Sequence, residues 1–423
     1  MRYTHSIPIL KRYIAYSCTF LTHSIQGCIM KIQGFSAAAV PAGIRYKERL
    51  DLGLIYSEVP AVAAGVFTTN RVKAAPVLLD IERLGQGKAQ AILVNSGNAN
   101  ACTGKEGMDT ARAASTLVAQ ELGIDEEMVQ VSSTGVIGQP MDITPFERSV
   151  AELVRKLSPE GFADVARAIM TTDTVPKLSY RQVEIDGSPV SLLGIAKGSG
   201  MIMPDMATML CFVATDAQII YPELQKAVKK GVEKSFNRIT VDGDTSTNDM
   251  VLVLANGTAG NKWIDEDNPE GRGIFEEALL EIFLDLSRMI VADGEGATKF
   301  VTIRVQGARE EEGAMVGAQT IANSALVKTA FFGEDANWGR IIAALGRSGC
   351  RFEPEKVSIH FDEVQMVKDG VGLGGNAEEA CSAVLKKDCF TVTVDLHDGH
   401  AVAEVYTCDF STDYVKINAK YRT

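Results

Sequence analysis

Tyr180–Ile185 and Val190–Ala196 are two strand-like runs separated by Asp186-Gly187, a pairing that commits a chain to reverse on itself as a β-hairpin. A hairpin lays its strands antiparallel, so a purely parallel sheet with crossover helices is excluded at this point of the chain. Helical periodicity is equally plain nearby. Leu224, Val228, Val232 and Phe236 recur four apart within Pro222–Phe236, and Phe275–Val291 is a longer apolar-faced stretch. Helices are also expected near Met108–Leu122, from Thr144 (as cap, with Pro145 in the first turn), after Ser158-Pro159-Glu160, around Gly317–Lys328 and at Gly339–Leu345. Strands are expected at Ala91–Val94, at Met128–Val131 (closed by Ser132-Ser133-Thr134-Gly135), at Met209–Ala214, Met250–Ala255 and Val301–Val305. A second hairpin is read between Phe390–Leu396 and Ala401–Tyr406, turning at Asp398-Gly399. Hairpins mixed with helix pairs, and no Pro/Ser linker between them, give an α+β layered protein.

The chemistry is constrained by what is scarce. The chain has five histidines, and none lies between His23 and His360. A Ser-His-Asp or Cys-His hydrolase needs an imidazole, and a His-rich zinc site needs two or three, so both are disfavoured. With 54 acidic against 42 basic residues the net charge is -12, the wrong sign for a general binder of nucleic acid or anionic membrane. No apolar run approaches the roughly 18 residues of a membrane span. Eight cysteines without a C-x-x-C pair fit reduced, mostly buried thiols of a cytosol-like compartment. Cys102, in a Gly/Asn-rich loop, reads as a small core residue or as a reactive thiol. The first acidic residue is Glu48, so residues 1–29 read either as an organellar transit segment or as an upstream-extended start before Met30.

Three segments are richer in glycine and polar groups than core requires. Lys197-Gly198-Ser199-Gly200-Met201-Ile202-Met203-Pro204-Asp205-Met206 leads into Ala207 and Thr208 at the mouth of an apolar strand. Thr208 is either a β-branched strand starter or a nucleophile. A threonine without histidine can use its own α-amino group as base, which requires cleavage of the Ala207–Thr208 bond. Thr134-Gly135 can aim a hydroxyl and a backbone N–H at one point, as an oxyanion needs, or form an ordinary turn. Glu295, between Gly294 and Gly296, is a solvated loop residue or a ligand for a cation. A fourth run, Gly370-Val371-Gly372-Leu373-Gly374-Gly375, matches G-x-G-x-x-G and opens a rival dinucleotide-binding reading, against which Lys368-Asp369-Gly370 looks like a hairpin turn.

The run Lys197–Pro204 with Ala207-Thr208-Met209-Leu210 resembles the autocleavage region of the arginine-biosynthesis ornithine acetyltransferase family (glutamate N-acetyltransferase, ArgJ). The resemblance extends over about residues 34–423. It includes Asn95-Ser96-Gly97-Asn98-Ala99-Asn100, Thr134-Gly135, Thr171-Thr172-Asp173-Thr174 and Asp242-Gly243-Asp244-Thr245-Ser246-Thr247-Asn248-Asp249. Gly294–Thr298, Asp335-Ala336-Asn337-Trp338-Gly339-Arg340 and the Asn418…Thr423 terminus complete it.

The resemblance implies an αββα-type layered sandwich of the N-terminal-nucleophile-like (DmpA/ArgJ-like) class, cut by itself into an α chain (34–207, after an extension over 1–33) and a co-folded β chain (208–423). It implies acetyl transfer from N2-acetyl-L-ornithine to L-glutamate through acetyl-Thr208, with Thr134 and Gly135 in the oxyanion hole. Thr171, Lys197, Thr208, Glu295, Asn418 and Thr423 would contact substrate. No metal or cofactor is implied. Acetyl-CoA is a candidate second donor, because the family divides into members that use it and members that do not. The assembly implied is an α2β2 heterotetramer, cytoplasmic, or mitochondrial if residues 1–29 are a transit segment, with no nucleic-acid or membrane partner. An N-terminal-nucleophile aminopeptidase or amidase, with water as acceptor, is the alternative.

Overall fold

The structure, a computed structural model, describes residues 30–203 and 209–420. Its first sheet contains β1 (Phe35–Val40), β2 (Leu52–Phe67), β3 (Lys88–Asn98), β4 (Val129–Val136), β5 (Lys177–Ile185), β6 (Ser188–Lys197) and β7 (Leu210–Thr215). The chain then passes through β8 (Ile239–Thr240), which belongs to the second sheet, and returns in β9 (Met250–Ala255). The order is β4-β3-β2-β9-β7-β6-β5. β2 is 16 residues long, and two strands share one of its edges, β1 along Leu52–Ser57 and β9 along Val62–Phe67. The second sheet adds β10 (Phe300–Ala308), β11 (Ser358–Phe361), β12 (Val364–Lys368), β13 (Val371–Gly372), β14 (Cys389–Asp395) and β15 (Ala401–Cys408), in the order β13-β12-β11-β14-β10-β15-β8.

Both sheets are layered with helices, so the expected α+β layering is what the chain adopts. Pro269–Ala292 buries Phe275, Leu279, Ile282, Phe283, Leu286 and Ile290 at helical spacing against β5 and β6. Asn268 caps it through Gly271 N, with Pro269 in the first turn. Gly194 on β6 admits this helix closely, since a Cβ there would meet Ile282 at 2.6 Å. The second sheet packs one face on Ala314, Ala318, Ile321, Phe331 and Leu345 of the helices Glu311–Ala322, Ala325–Phe332 and Trp338–Gly346. Among the described residues no helix is long and apolar enough to cross a membrane.

The β5–β6 hairpin forms as read, with Ile185 opposite Ser188 and both Asp186 (φ 51°) and Gly187 (φ 79°) left-handed. The hairpin read at 390–406 does not form. β10 lies between β14 and β15, parallel to the first and antiparallel to the second. The Leu396–Gly399 turn is carried across the end of β10 by Leu396 N to Gln306 O and Asp398 N to Gly307 O. The turn forms at the predicted place, but β10 occupies the position between the two strands that it joins. The glycine run at 370–375 is also a hairpin, in which Asp369-Gly370 returns β12 into antiparallel β13. The strand entering the following helix (Gly375–Leu385) is therefore β13, whereas a dinucleotide fingerprint needs a strand parallel to its partner.

Smaller departures have local causes. Asp142, not Thr144, accepts from the first turn of Thr144–Arg155. Gly317–Lys328 is split at Asn323-Ser324 between two helices. Cys102 is exposed at φ 58°, so its reading as a small core residue does not hold.

Candidate active site

At the sheet end where β4 and β6 finish, a cavity of about 90 Å³, partly open to solvent, is lined by Thr134, Gly135, Thr171, Lys197, Glu295 and Asn418, among others. They arrive from five separate parts of the sequence, Thr134 and Gly135 together, so the fold has to be complete before the site exists.

Thr134 and Gly135 end β4, which continues through Val136 instead of closing before Ser132. Gly135 has φ 139°, and a Cβ there would sit 2.3 Å from the Gly97 carbonyl carbon, so only glycine fits this crossing. The Asn95–Asn100 segment fixes the crossing. Ser133 Oγ donates to Asn95 Oδ1 (2.6 Å), and Asn95 Nδ2 donates to Asn98 O (3.0 Å). From the other side Asn248 Nδ2 donates to Ala99 O (2.6 Å) and Ser133 O (2.8 Å). The amides thus replace the ladder bonds that a bent strand end cannot make.

Lys197 ends β6, opposite Leu210 of β7. Its ammonium donates to Thr171 Oγ1 (3.0 Å) and stands 3.8 Å from Asp173 Oδ2. Asp173 Oδ1 accepts from Lys177 Nζ and from Gly198 N, both at 2.7 Å, and Oδ2 accepts from Thr171 N at 3.1 Å. Lys177 reaches Asp293 Oδ2 as well, at 2.7 Å, and Asp293 also accepts from Thr174 N. This is a buried row of alternating charge running back from the cavity. Burial alone would raise the Asp173 carboxyl, but Lys177 and Lys197 outweigh it and hold that group far below the usual range. For Lys177, burial is outweighed by its two aspartates, and its ammonium is raised. For Lys197 burial wins over Asp173 and lowers the ammonium, with the charge of Lys177 adding to the effect.

Glu295 follows the long helix and is held by its own N–H on Ser199 O (2.8 Å). Asn418 Nδ2, from the helix Thr412–Ala419, donates to its Oε2 at 2.7 Å. That helix buries none of its side chains. It is seated by Tyr414, which stacks on Phe410 at 4.7 Å and donates to Asp242 Oδ2 at 3.3 Å. Asp242 in turn accepts from Met201 N (2.6 Å) and Ile202 N (2.9 Å), and burial raises its carboxyl. Asp249 Oδ1 accepts from Met209 N at 3.0 Å, and burial pushes that carboxyl well above its ordinary value.

Of the site residues read from the sequence, Thr134, Gly135, Thr171, Lys197, Glu295 and Asn418 are brought together at this cavity. Ala207, Thr208 and Thr423 lie outside the described residues. The solvated-loop reading of Glu295 is set aside, since it is 7% exposed. Sequence reasoning missed the support given by Lys177 and Asp293. A lysine after Val175-Pro176 at a strand start looks like a solvent-facing residue, and no local pattern shows that it is fully buried. Among the described residues no group of three or more His, Cys, Asp or Glu could hold a metal ion.

Residues 36–423 match the ArgJ family. The arginine biosynthesis bifunctional protein ArgJ of Desulfotalea psychrophila is 59% identical over 394 residues, which cover 93% of this chain and 100% of that protein. The ArgJ of Geobacter sulfurreducens is 53% identical over 394 residues, again 93% and 100% of the two chains. Among solved structures, the arginine biosynthesis bifunctional protein argJ of Bacillus halodurans is 43% identical, covering 49% of this chain and 97% of that one with a TM-score of 0.47.

Proposed function

The chain belongs to the ArgJ family, and from that premise we propose that it moves the acetyl group of N2-acetyl-L-ornithine to L-glutamate through an ester on Thr208. It is an acyltransferase of arginine biosynthesis. What supports this route most is the convergence of Thr134, Gly135, Thr171, Lys197, Glu295 and Asn418 on one cavity. A cation and a carboxylate at one cavity suit a substrate that carries both a carboxylate and an ammonium.

The precursor first cuts itself. The Thr208 hydroxyl attacks the Ala207 carbonyl, the peptide bond becomes an ester, and water hydrolyses it. The α chain (34–207) and the β chain (208–423) then stay associated, with a free amine on Thr208. Thr208 precedes Leu210 by two residues in the chain, and Leu210 pairs with Lys197 across β6 and β7. In the first half-reaction the amine takes the hydroxyl proton as Thr208 Oγ bonds to the acetyl carbonyl carbon. Thr134 and the Gly135 N–H receive the negative charge on the carbonyl oxygen. Collapse breaks the acetyl C–N bond, the amine returns its proton to the leaving nitrogen, and ornithine departs. The glutamate amine then attacks the ester, the C–Oγ bond breaks, and Thr208 recovers its proton.

Acetyl-CoA is a second candidate donor, and no cofactor is needed. Assembly as α2β2 and a cytoplasmic location belong to the same proposal. The free thiols of all six described cysteines support a reducing compartment.

The decisive experiment loads purified enzyme with acetylornithine, removes ornithine, and adds glutamate. Acetylglutamate is expected. Acetate in its place would make the protein an amidase and overturn the transferase reading. Denaturing electrophoresis should show two bands of similar size, reduced to one uncut band by Thr208→Ala.

A further inference from the structure

Lys197 is a cation in the cavity wall with a carboxylate beside it, yet the two are not a close pair. Its Nζ rests on the neutral Thr171 Oγ1 at 3.0 Å and stands 3.8 Å from Asp173. Asp173 is already occupied, by Lys177 Nζ and Gly198 N on one oxygen and Thr171 N on the other. Lys177 contributes nothing to the cavity wall, is completely buried, and divides itself between Asp173 and Asp293 at 2.7 Å each.

We propose that Lys177 is a positioning residue for acetyl transfer: by holding Asp173 it keeps the Lys197 ammonium on Thr171 and facing the cavity, free to pair with a substrate anion. Without the Lys177 charge, Lys197 becomes the nearest counter-cation for Asp173. Opposite charges in a poorly solvated setting attract strongly when they close to contact, so Lys197 swings onto Asp173 and its charge is lost to the substrate. The inference rests on the acetyl-transfer reading and adds to it the residue that sets its anion-binding end.

Lys177→Met alone strands two buried carboxylates and can fail to fold. The test therefore uses Lys177→Met/Asp293→Asn, which removes one charge of each sign and leaves an amide oxygen for Thr174 N. Asp293→Asn alone is the control, because Lys177 still holds Asp173. The double variant should cleave itself and keep kcat within about threefold. Its KM for acetylornithine should rise by about tenfold or more, while Asp293→Asn keeps the wild-type KM. The groups acting on Lys197 are Asp173, Lys177, Glu295 and Asp249. Removing the cation among them should move the alkaline limb of kcat/KM to higher pH in the double variant. Wild-type KM and an unmoved alkaline limb in the double variant, or equal KM losses in both variants, would overturn the proposal and leave acetyl transfer standing. Wild-type enzyme that makes no acetylglutamate from acetylornithine would overturn both. Should the double variant not fold, Lys177→Arg replaces it, with Asp293→Asn still the control. Its retained charge should keep the wild-type KM, and a tenfold rise would count against the proposal.

Discussion

Glu295 lies across the backbone at Gly200, so that a Cβ on residue 200 would stand 2.5 Å from the Glu295 carboxyl carbon and about as close to both of its oxygens. The atoms in the way are the end of a flexible side chain, so Gly200→Ala should shift the carboxylate and leave the fold intact. The shift would also break its bond from Asn418. Self-cleavage and thermal unfolding are expected to match the wild type, while KM for acetylornithine rises by roughly tenfold, the effect of about 1.4 kcal/mol of lost interaction. Steady-state kinetics beside a melting curve checks both halves.

Asn418 should behave as a reporter of the same carboxylate. Its helix buries no side chain, so Asn418→Ala is expected to leave the melting temperature unchanged and raise KM by about tenfold or more, as loss of a hydrogen bond to a charged group does. Asn418→Asp would set a second carboxylate where the amide now donates at 2.7 Å, and should be worse than alanine. Equal effects would mean that the amide does not act through Glu295.

These two residues show what could be read from the sequence. The glycines around Glu295 left it open between a solvated loop residue and a ligand, and it was the family resemblance that carried it, with Asn418, to the site. The β5–β6 hairpin and the long apolar helix were legible, since their signals lie within one segment. Lys177 was not legible, because its burial depends on Asp173 four residues earlier and Asp293 more than a hundred residues later. The false hairpin at 390–406 has the same origin. Its turn is local, but the presence of β10 between the strands is decided by the whole sheet.

Gly135→Ala tests the strand crossing that presents the oxyanion site. The new methyl would meet the backbone of Gly97 and Asn98 at 2.3–2.5 Å, and residue 135 would be forced into a φ that side chains avoid. Backbone cannot step aside as a side chain can, so the strand end must move. Loss of stability of roughly 1–3 kcal/mol is expected from the strained dihedral. Loss of a correctly aimed N–H should lower kcat by about a hundredfold or more. Full activity with a lowered melting temperature would remove Gly135 from the oxyanion site.

Asp173 predicts the acid limb of stability. Its carboxyl is held below the ordinary value of 3.8 against the effect of burial, by Lys177 and Lys197. A group whose folded value is depressed stabilises the native state fully above its unfolded value, and the contribution is lost as pH falls toward the folded one. The difference in unfolding free energy between wild type and Asp173→Asn should therefore be constant from about pH 5 to 8 and shrink only below about pH 4. At neutral pH it should be about 3 kcal/mol, since one partner of a buried ion pair has been removed. Denaturant unfolding measured at a series of pH values gives the curve directly. A gap that stays constant below pH 4 would mean that Asp173 acts through its hydrogen bonds to Thr171 N and Gly198 N, which an asparagine oxygen only partly replaces, and not through its charge.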